Sequence, residues 1–367
     1  MAVTERQAHP GMLVLARESR GMTQADVADA MTKASSSGAT VVSQGYVSRA
    51  EAGRLTVSDD RLDLYATALS YPRGLLCLDP DVSGVGVGLI HHRKRASLSV
   101  ATLRRVHAQL AFTQIQLRGL VSTAGNPTSG HRFARVVLND LVTAKDAARQ
   151  VRRTWGIAPG PVPDVIGAIE EAGGLVVVRD LGSGLLDAVS QWGEHGAPLL
   201  LVNDRAPGDR CRFSVAHELG HLVMHTDPGS GPEQEKQADA FAAEFLMPAS
   251  DVRKAFTDRV DLPRLMDLKR TWRVSMSALL RRALDLGSIT EWQHRTVTIE
   301  MSALGYRTAE PVEIAQERPR LVSELVHTLL DERGLPLEEA ASCAHLLPED
   351  FQRLYVEGDR TSSLLPL

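Results

Sequence analysis

The chain has few cysteines. Only Cys77, Cys211 and Cys343 occur in 367 residues, far apart and odd in number, and there is no C-x-x-C. This excludes a disulfide framework and a cysteine-based zinc site, and it fits a reducing cytoplasm. A large excess of one charge is also missing. The formal net charge is −4, so the whole chain is not a polycation built to coat nucleic acid, and any such role must come from a local patch. No apolar run approaches the roughly 18 residues of a membrane span. The opening stretch, MAVTERQAHPGMLVLARESRG, is interrupted by charges and Pro10 and lacks the apolar core of a signal peptide. The expectation is a cytoplasmic protein with no membrane partner. No internal repeat is visible.

What is present is ordinary globular material, 43% hydrophobic and 23% charged. The length suggests two or three domains. Residues 10–78 read as short helices. GMLVLARES is stopped by Gly21, and Thr23 can cap TQADVADAM with Asp26 in the box position. A polar loop of about eleven residues, TKASSSGATVV, leads to SQGYVSRAEAG, capped by Ser43 and ended by Gly53. DDRLDLYATALS places Leu62, Tyr65, Ala66 and Leu69 on one face, and Pro72 opens a last short helix.

DVSGVGVGLIHH is glycine-rich and reads as a linker or short strand; its G-x-G-x-G is too weak a signal for a phosphate loop. Between Asp81 and Asp140 there is no Asp or Glu, while Arg93, Lys94, Arg95, Arg104, Arg105, Arg118, Arg132 and Arg135 all fall there. SVATLRRVHAQLAFTQIQLRGLV inside this block is a long helix. It is either a solvated helix packed on the rest of the chain or a surface for DNA phosphates or an acidic partner.

Residues 143–290 are mixed. AAGGLVVVRD and APLLLVND read as strands, RTVTIEMS as a third just beyond, and helices are expected at 143–155, 163–172, 209–225, 233–246, 261–272 and 276–286. The APLLLVND strand is expected to be an edge to which an extended substrate could add.

One stretch carries chemistry: RFSVAHELGHLVMH, residues 212–225. His217 and His221 are four apart and share a helix face, so both imidazoles can hold one zinc ion. Glu218 stands beside them as a general base, giving H-E-x-x-H. A catalytic zinc needs a third protein ligand. His225 is eight residues from His217, about 12 Å along a helix, too far to share the ion. It reads as a helix-end or pocket-lining histidine. The next helix, EQEKQADAFAAEFLMP, offers Glu235 as the ligand and Asp239, one turn on, as the carboxylate that holds a ligating histidine. The competing reading makes Glu233, Glu235 and Asp239 a solvated acidic face.

These residues resemble a known family. DRCRFSVAHELGHLVMH followed by EKQADAFAAEFLMP is similar to the ImmA/IrrE metallopeptidases. The resemblance covers about residues 150–287 and assigns the third zinc ligand to Glu235 over Glu233. Cys211, six residues before His217, departs from the polar residue usual there; it reads as a structural thiol, with a redox role the lesser alternative. The N-terminal stretch LARESRGMTQADVADAM…VSQGYVSRAEAG resembles a helix-turn-helix of the XRE (Cro/repressor-like) type, whose second helix enters the major groove. That resemblance implies Gln24 at a phosphate, and Ser43, Gln44, Tyr46, Ser48 and Arg49 at or near the exposed start of the recognition helix, with Gln44 and Arg49 able to read bases. Here the turn is longer than usual, and residues 1–78 carry eight Lys/Arg and eight Asp/Glu. HHRKRASLSVATLRR resembles a segment of regulators that fuse the two modules.

The expected fold class is multidomain and mainly α. An all-α helix-turn-helix domain (1–78) and a basic linker and helix (79–142) precede an α+β zincin-like domain with a small sheet (143–290). A mostly helical C-terminal region of unknown role (291–367) follows. The expected function is a DNA-binding transcriptional regulator with a Zn2+-dependent endopeptidase domain, cleaving a transcription factor in a stress or signal response. Its partners would be operator DNA, the protein substrate and a second copy of the chain. Two alternatives stand beside it: a DNA-binding regulator whose zinc domain is sensory or structural, and a peptidase whose helix-turn-helix binds only protein.

Overall fold

The computed structural model describes residues 7–35, 41–79, 90–92, 99–125, 133–192, 197–226, 231–257 and 259–358. The N-terminal helices are α1 (Pro10–Ser19), α2 (Gln24–Ala34), α3 (Gln44–Glu51), α4 (Asp59–Leu69) and α5 (Arg73–Leu76). The Thr23–Asp26 capping box forms at the start of α2, and Ser43 caps α3. Helix α2 runs to Ala34, three residues past the end of the expected TQADVADAM segment, so its connection to α3 is residues 35–43, shorter than the expected eleven. Lys33 and Ala34 are good helix formers, and Thr32 closes its hydroxyl on the Ala28 carbonyl. Met12, Leu13, Val27, Met31, Val47, Leu62 and Tyr65 fill the core of this bundle.

Strand β1 (Ile90–His92) and the long helix α6 (Val100–Ala124) follow, then α7 (Ala144–Thr154) and α8 (Val165–Glu171). Strands β2 (Leu175–Arg179), β3 (Ala188–Trp192) and β4 (Pro198–Asn203) complete a four-stranded sheet of order β1-β3-β4-β2. β2 is parallel to β4, and the other pairs are antiparallel. Two helices carry the histidine stretch and its sequel, α9 (Gly208–Met224) and α10 (Pro232–Leu246). Then come α11 (Ala249–Val252), α12 (Leu262–Trp272), α13 (Met276–Asp285), α14 (Glu291–Ala303), α15 (Leu321–His327), α16 (Leu337–Cys343) and α17 (Pro348–Phe351).

Two sequence expectations fail here. APLLLVND is not an edge: β4 lies between β3 and β2 and is buried along its whole length. The strand that displaces it from the edge, AVSQW, carries buried Ser190 and Gln191, so it shows no apolar alternation to read. RTVTIEMS is not a strand either; it lies inside α14. Its alternation of Thr with Val and Ile imitates period two, but Val297 and Met301, four apart, are the buried pair. Thr296 and Thr298 turn their hydroxyls onto the carbonyls four residues back, and a Thr290–Gln293 capping box starts the helix.

Both faces of the sheet are covered. Val176, Ala188, Leu200 and Val202 pack with α7, α8, α9, α10, α12 and α13. Val177, Val189, Leu199 and Leu201, pointing the other way, pack with α6, α15, α16 and α17. Helix α6 also reaches the N-terminal bundle, where Phe112 and Ile115 join its core and Phe112 meets Tyr71 at 5.0 Å between ring centroids. Gly119 lies where α6 touches the end of α16, since a Cβ there would fall 1.9 Å from the Cys343 carbonyl oxygen.

The segment between α14 and α15 straps these layers together through carboxylates at helix N-termini, where unpaired backbone N–H groups attract negative charge. Glu310 accepts from the Met276 amide at 2.9 Å and from Lys269 at 2.6 Å. Glu317 accepts from the Val165 and Ile166 amides at 2.9 and 3.1 Å and pairs with buried Arg212 of α9. Glu170 of α8 reciprocates, accepting from the Arg320 and Leu321 amides at the start of α15.

Burial pushes the Glu170 carboxyl up to about 7, against the hydrogen bonds from Arg320 and Leu321. A folded-state pKa above the unfolded one gives stability that is full below the unfolded pKa and is lost as pH rises towards 7. Glu170→Gln should therefore gain on the wild type between pH 5 and pH 8. The gain should be about 1–2 kcal/mol. Urea unfolding at both pH values checks it; a constant difference between the two proteins would refute the assignment.

Candidate metal site and the N-terminal helices

Helix α9 crosses beneath the sheet with almost every side chain buried. His217 and His221 are both 0% exposed, and their Nε2 atoms stand 3.1 Å apart. Helix α10 brings Glu235 to the same point. One of its oxygens is 3.4 Å from His217 Nε2 and the other 3.4 Å from His221 Nε2. Three tetrahedral donors at 2.0–2.1 Å from a zinc ion would lie about 3.3 Å from one another. The triangle has that size. Among the described residues, His217, His221 and Glu235 are the one group of three or more His, Cys, Asp or Glu whose donor atoms converge this closely.

Glu233 does not take part. Its side chain is 73% exposed and lies 3.9 Å from Lys236, whereas that of Glu235 is 28% exposed and turned inward. The sequence offers Glu235 as the ligand, and the family resemblance assigns the role to it over Glu233.

Each histidine is held by its far nitrogen. Asp239 Oδ1 lies 2.9 Å from His217 Nδ1, the contact expected one turn after Glu235. His221 Nδ1 lies 2.9 Å from His225 Nδ1, and His225 Nε2 lies 2.9 Å from Gln237 Oε1. A lone pair on His221 Nε2 for a metal requires the proton on its Nδ1, which then donates to His225 Nδ1. His225 in turn donates from Nε2 to the Gln237 carbonyl oxygen. His225 thus orients His221 as Asp239 orients His217. The sequence reads His225 as a helix-end or pocket-lining histidine; its i, i+4 spacing from His221 is the signal that could have found this pair.

Charge in the site is arranged to receive a cation. Burial opposes charge on His217, but hydrogen bonds with Asp239 and Glu235 outweigh it and push the imidazole up to about 9. Burial also pulls His221 down to about 4, leaving it neutral and able to ligate. Glu235 is held well below the usual carboxylate range; its hydrogen bonds to the two histidines outweigh burial, which acts the other way.

Glu218 sits apart from the triangle. It is 1% exposed, and the Ser190 hydroxyl donates to its Oε2 at 2.6 Å. Burial pushes it up to about 8, against the charge of His217 and the bond from Ser190. Ser190 was invisible in sequence because β3 itself was not read. Cys211 is 2% exposed, and burial pushes its thiol up to about 11.

At the N-terminal end, Gln24 opens α2 and Gln44 opens α3, and the structure brings them together: Gln44 Nε2 donates to Gln24 Oε1 at 2.8 Å. Gln24 donates to Glu51 at 2.9 Å, and Glu51 pairs with Arg17 at 2.7 Å. Ser43 and Arg49 are exposed and Ser48 is half-buried, but the Ser43 hydroxyl is engaged as the α3 cap. Tyr46 is half-buried beneath the Arg61 guanidinium, 5.1 Å from its ring centroid. A groove of about 660 Å3 beside the starts of α2 and α3 is lined by Gln24, Gln44 and, from α6, exposed Arg104. Of the basic block, Arg93, Lys94, Arg95 and Arg132 lie outside the described residues. Among the described residues no helix is long and apolar enough to cross a membrane.

The geometry predicts metal stoichiometry. Elemental analysis after zinc loading should give one ion per chain for the wild type and for Glu218→Gln, and well under a tenth of that for His217→Ala and Glu235→Ala. Equal metal content in all four proteins would refute the ligand set.

No curated protein matches the chain. Residues 169–284 match the peptidase family described as the IrrE N-terminal-like domain, a stretch that runs from the end of α8 through β2, β3, β4, α9 and α10 to α13, and this match supports a metallopeptidase-type domain there.

Proposed function

We propose that the chain is a DNA-binding transcriptional regulator whose metallopeptidase-type domain is a zinc-dependent endopeptidase. The observation that carries the reading is the triangle of His217, His221 and Glu235 with Glu218 buried beside it and outside the donor set. A structural zinc closes its shell with four protein ligands. Three converge here among the described residues, leaving a position for water and substrate, and that favours catalysis over a sensory or structural metal.

When bound at these three residues, zinc supplies a Lewis acid that polarises a peptide carbonyl and acidifies water to a pKa of about 7. The chain's own groups do the rest. Asp239 and His225 fix the rings of His217 and His221 so that each presents Nε2. The Ser190 hydroxyl holds Glu218 Oε2 in one orientation. Glu218 takes the proton of the attacking water and delivers it to the leaving amine. Its burial raises its proton affinity, which suits a group that must accept and then release a proton near neutral pH.

The substrate in this reading is a transcription factor, and its cleavage relieves repression in a stress or signal response. In this reading the N-terminal helices bind operator DNA: α3 enters the major groove, Gln44 and Arg49 face bases, and Gln24 and Arg104, which line one groove, meet phosphates. Ser43, Tyr46 and Ser48 flank these contacts. Two copies of the chain would read two half-sites.

Mapping new protein N-termini in cells that express the wild type or Glu218→Gln tests the enzyme. A cut in a transcription factor should appear only with the wild type, and the purified variant should be slower by a factor of roughly 10²–10⁴. Full zinc occupancy with identical N-termini in both strains would leave the regulator reading and remove the peptidase. DNA binding is checked by salt titration. Arg104→Ala should lower the slope of log K against log salt by about one, and Arg49→Ala should weaken sequence discrimination. A wild-type slope near zero would instead favour a protein-binding role for these helices.

A further inference from the structure

The edge of β3 that faces away from β4 is occupied by the chain itself. β1 pairs with β3 antiparallel, setting Ile90 opposite Gln191, His91 opposite Ser190 and His92 opposite Val189. Ser190 is the residue whose hydroxyl holds Glu218. The backbone of β1 therefore runs one strand spacing, about 4.8 Å, from the strand that orients the candidate base. β1 also lies against α9, the helix that carries both histidines.

β3 has only two edges, and β4 takes the other. Without β1, β3 would end the sheet beside the metal donors, with unpaired N–H and C=O groups turned outward. Such an edge takes up an extended polypeptide as an added strand, through main-chain hydrogen bonds. β1 is only three residues long and comes from the connection between α5 and α6, outside the segment that matches the peptidase family. A three-residue edge strand is held by few hydrogen bonds and can be displaced.

We propose that residues 90–92 are a resident competitor: a strand bound in cis on β3, which an extended polypeptide must displace to lie alongside Glu218 and the metal donors. The proposal rests on the peptidase reading above and adds to it a substrate mode and a means of restraint. The substrate adds as a strand antiparallel to β3, in the place β1 now holds. Restraint follows from mass action, because a tethered strand competes at an effective concentration in the millimolar range, above that of a dilute free polypeptide. Proteins that bring a high local concentration of one segment, such as a docked partner, overcome it; stray peptides do not.

The test uses the full chain, free of metal, and the triple variant Ile90→Pro/His91→Gly/His92→Pro. Proline has no N–H to give to a ladder, and glycine weakens the strand further. Hydrogen exchange of the β3 amides should be at least about ten-fold faster in the variant. A fluorescent synthetic peptide GLIHHRK, the sequence of residues 88–94, should bind the variant about ten-fold or more tightly than the wild type by anisotropy. Unchanged β3 exchange would overturn the pairing. Faster exchange with no gain in peptide affinity would overturn the competition. Should the triple variant lose its cooperative unfolding transition, His91→Pro alone reports the same two quantities. Neither readout needs zinc or turnover, so a negative result here leaves the metal stoichiometry and the Glu218→Gln comparison to judge the peptidase reading separately.

Discussion

The close approach of α9 and α10 at Gly220 governs the site. A Cβ at this position would lie 3.1 Å from the Cβ and ring of Phe241, tighter than side chains tolerate without movement. The two histidines are on one helix and the carboxylate on the other, so the spacing of the helices sets the size of the donor triangle. Phe241 and Phe245 are both fully buried and stack with rings 5.8 Å apart, fixing the rotation of α10 that turns Glu235 inward and leaves Glu233 in water. Glu244, buried near the end of α10, pairs with Arg282 of α13 and with Arg149 of α7 and holds the helix in register along its axis.

Helix α9 is fixed by similar means. Arg212, 1% exposed, donates to the Val162 carbonyl at 2.7 Å and pairs with Glu317 of the strap. Asp209 in its first turn meets buried Lys269, which Glu310 completes from the strap. Buried pairs of this kind return little net stability, because desolvation consumes the Coulomb gain. Losing one partner, however, strands a buried charge, so each pair penalises any sliding of the helices it joins. The C-terminal segment, which has no motif of its own, thus pins the start of the helix that carries the site.

The sheet divides these tasks. One face packs the helices that bear the donors, and the other packs α6 and the C-terminal helices. Helix α6 continues into the N-terminal core through Phe112 and Ile115. The connection that contributes β1 leads directly into this shared helix. The sheet that carries Ser190 and its bond to Glu218 is therefore joined to the N-terminal core through side chains packed on α6.

The pieces that depend on local spacing can be read directly along the chain. His217 and His221 fall on one helix face, Asp239 follows Glu235 by one turn, and the caps at Thr23 and Ser43 start their helices; each needs only the 3.6-residue period or a bond within four residues. Local spacing cannot determine what depends on neighbours distant in the chain. Ser190 and Gln191 are polar and buried because β3 lies between other strands and over α9, so no alternation marked it as a strand. β4 was expected at an edge from its order along the chain, and order does not say what pairs with a strand's sides. The Thr-Val-Thr-Ile pattern of α14 looked like a strand, since period two and period 3.6 cannot be separated over so few residues until packing selects Val297 and Met301. Which carboxylate of α10 turns inward, and which side chain holds Glu218, were settled only when helices and sheet closed on one another.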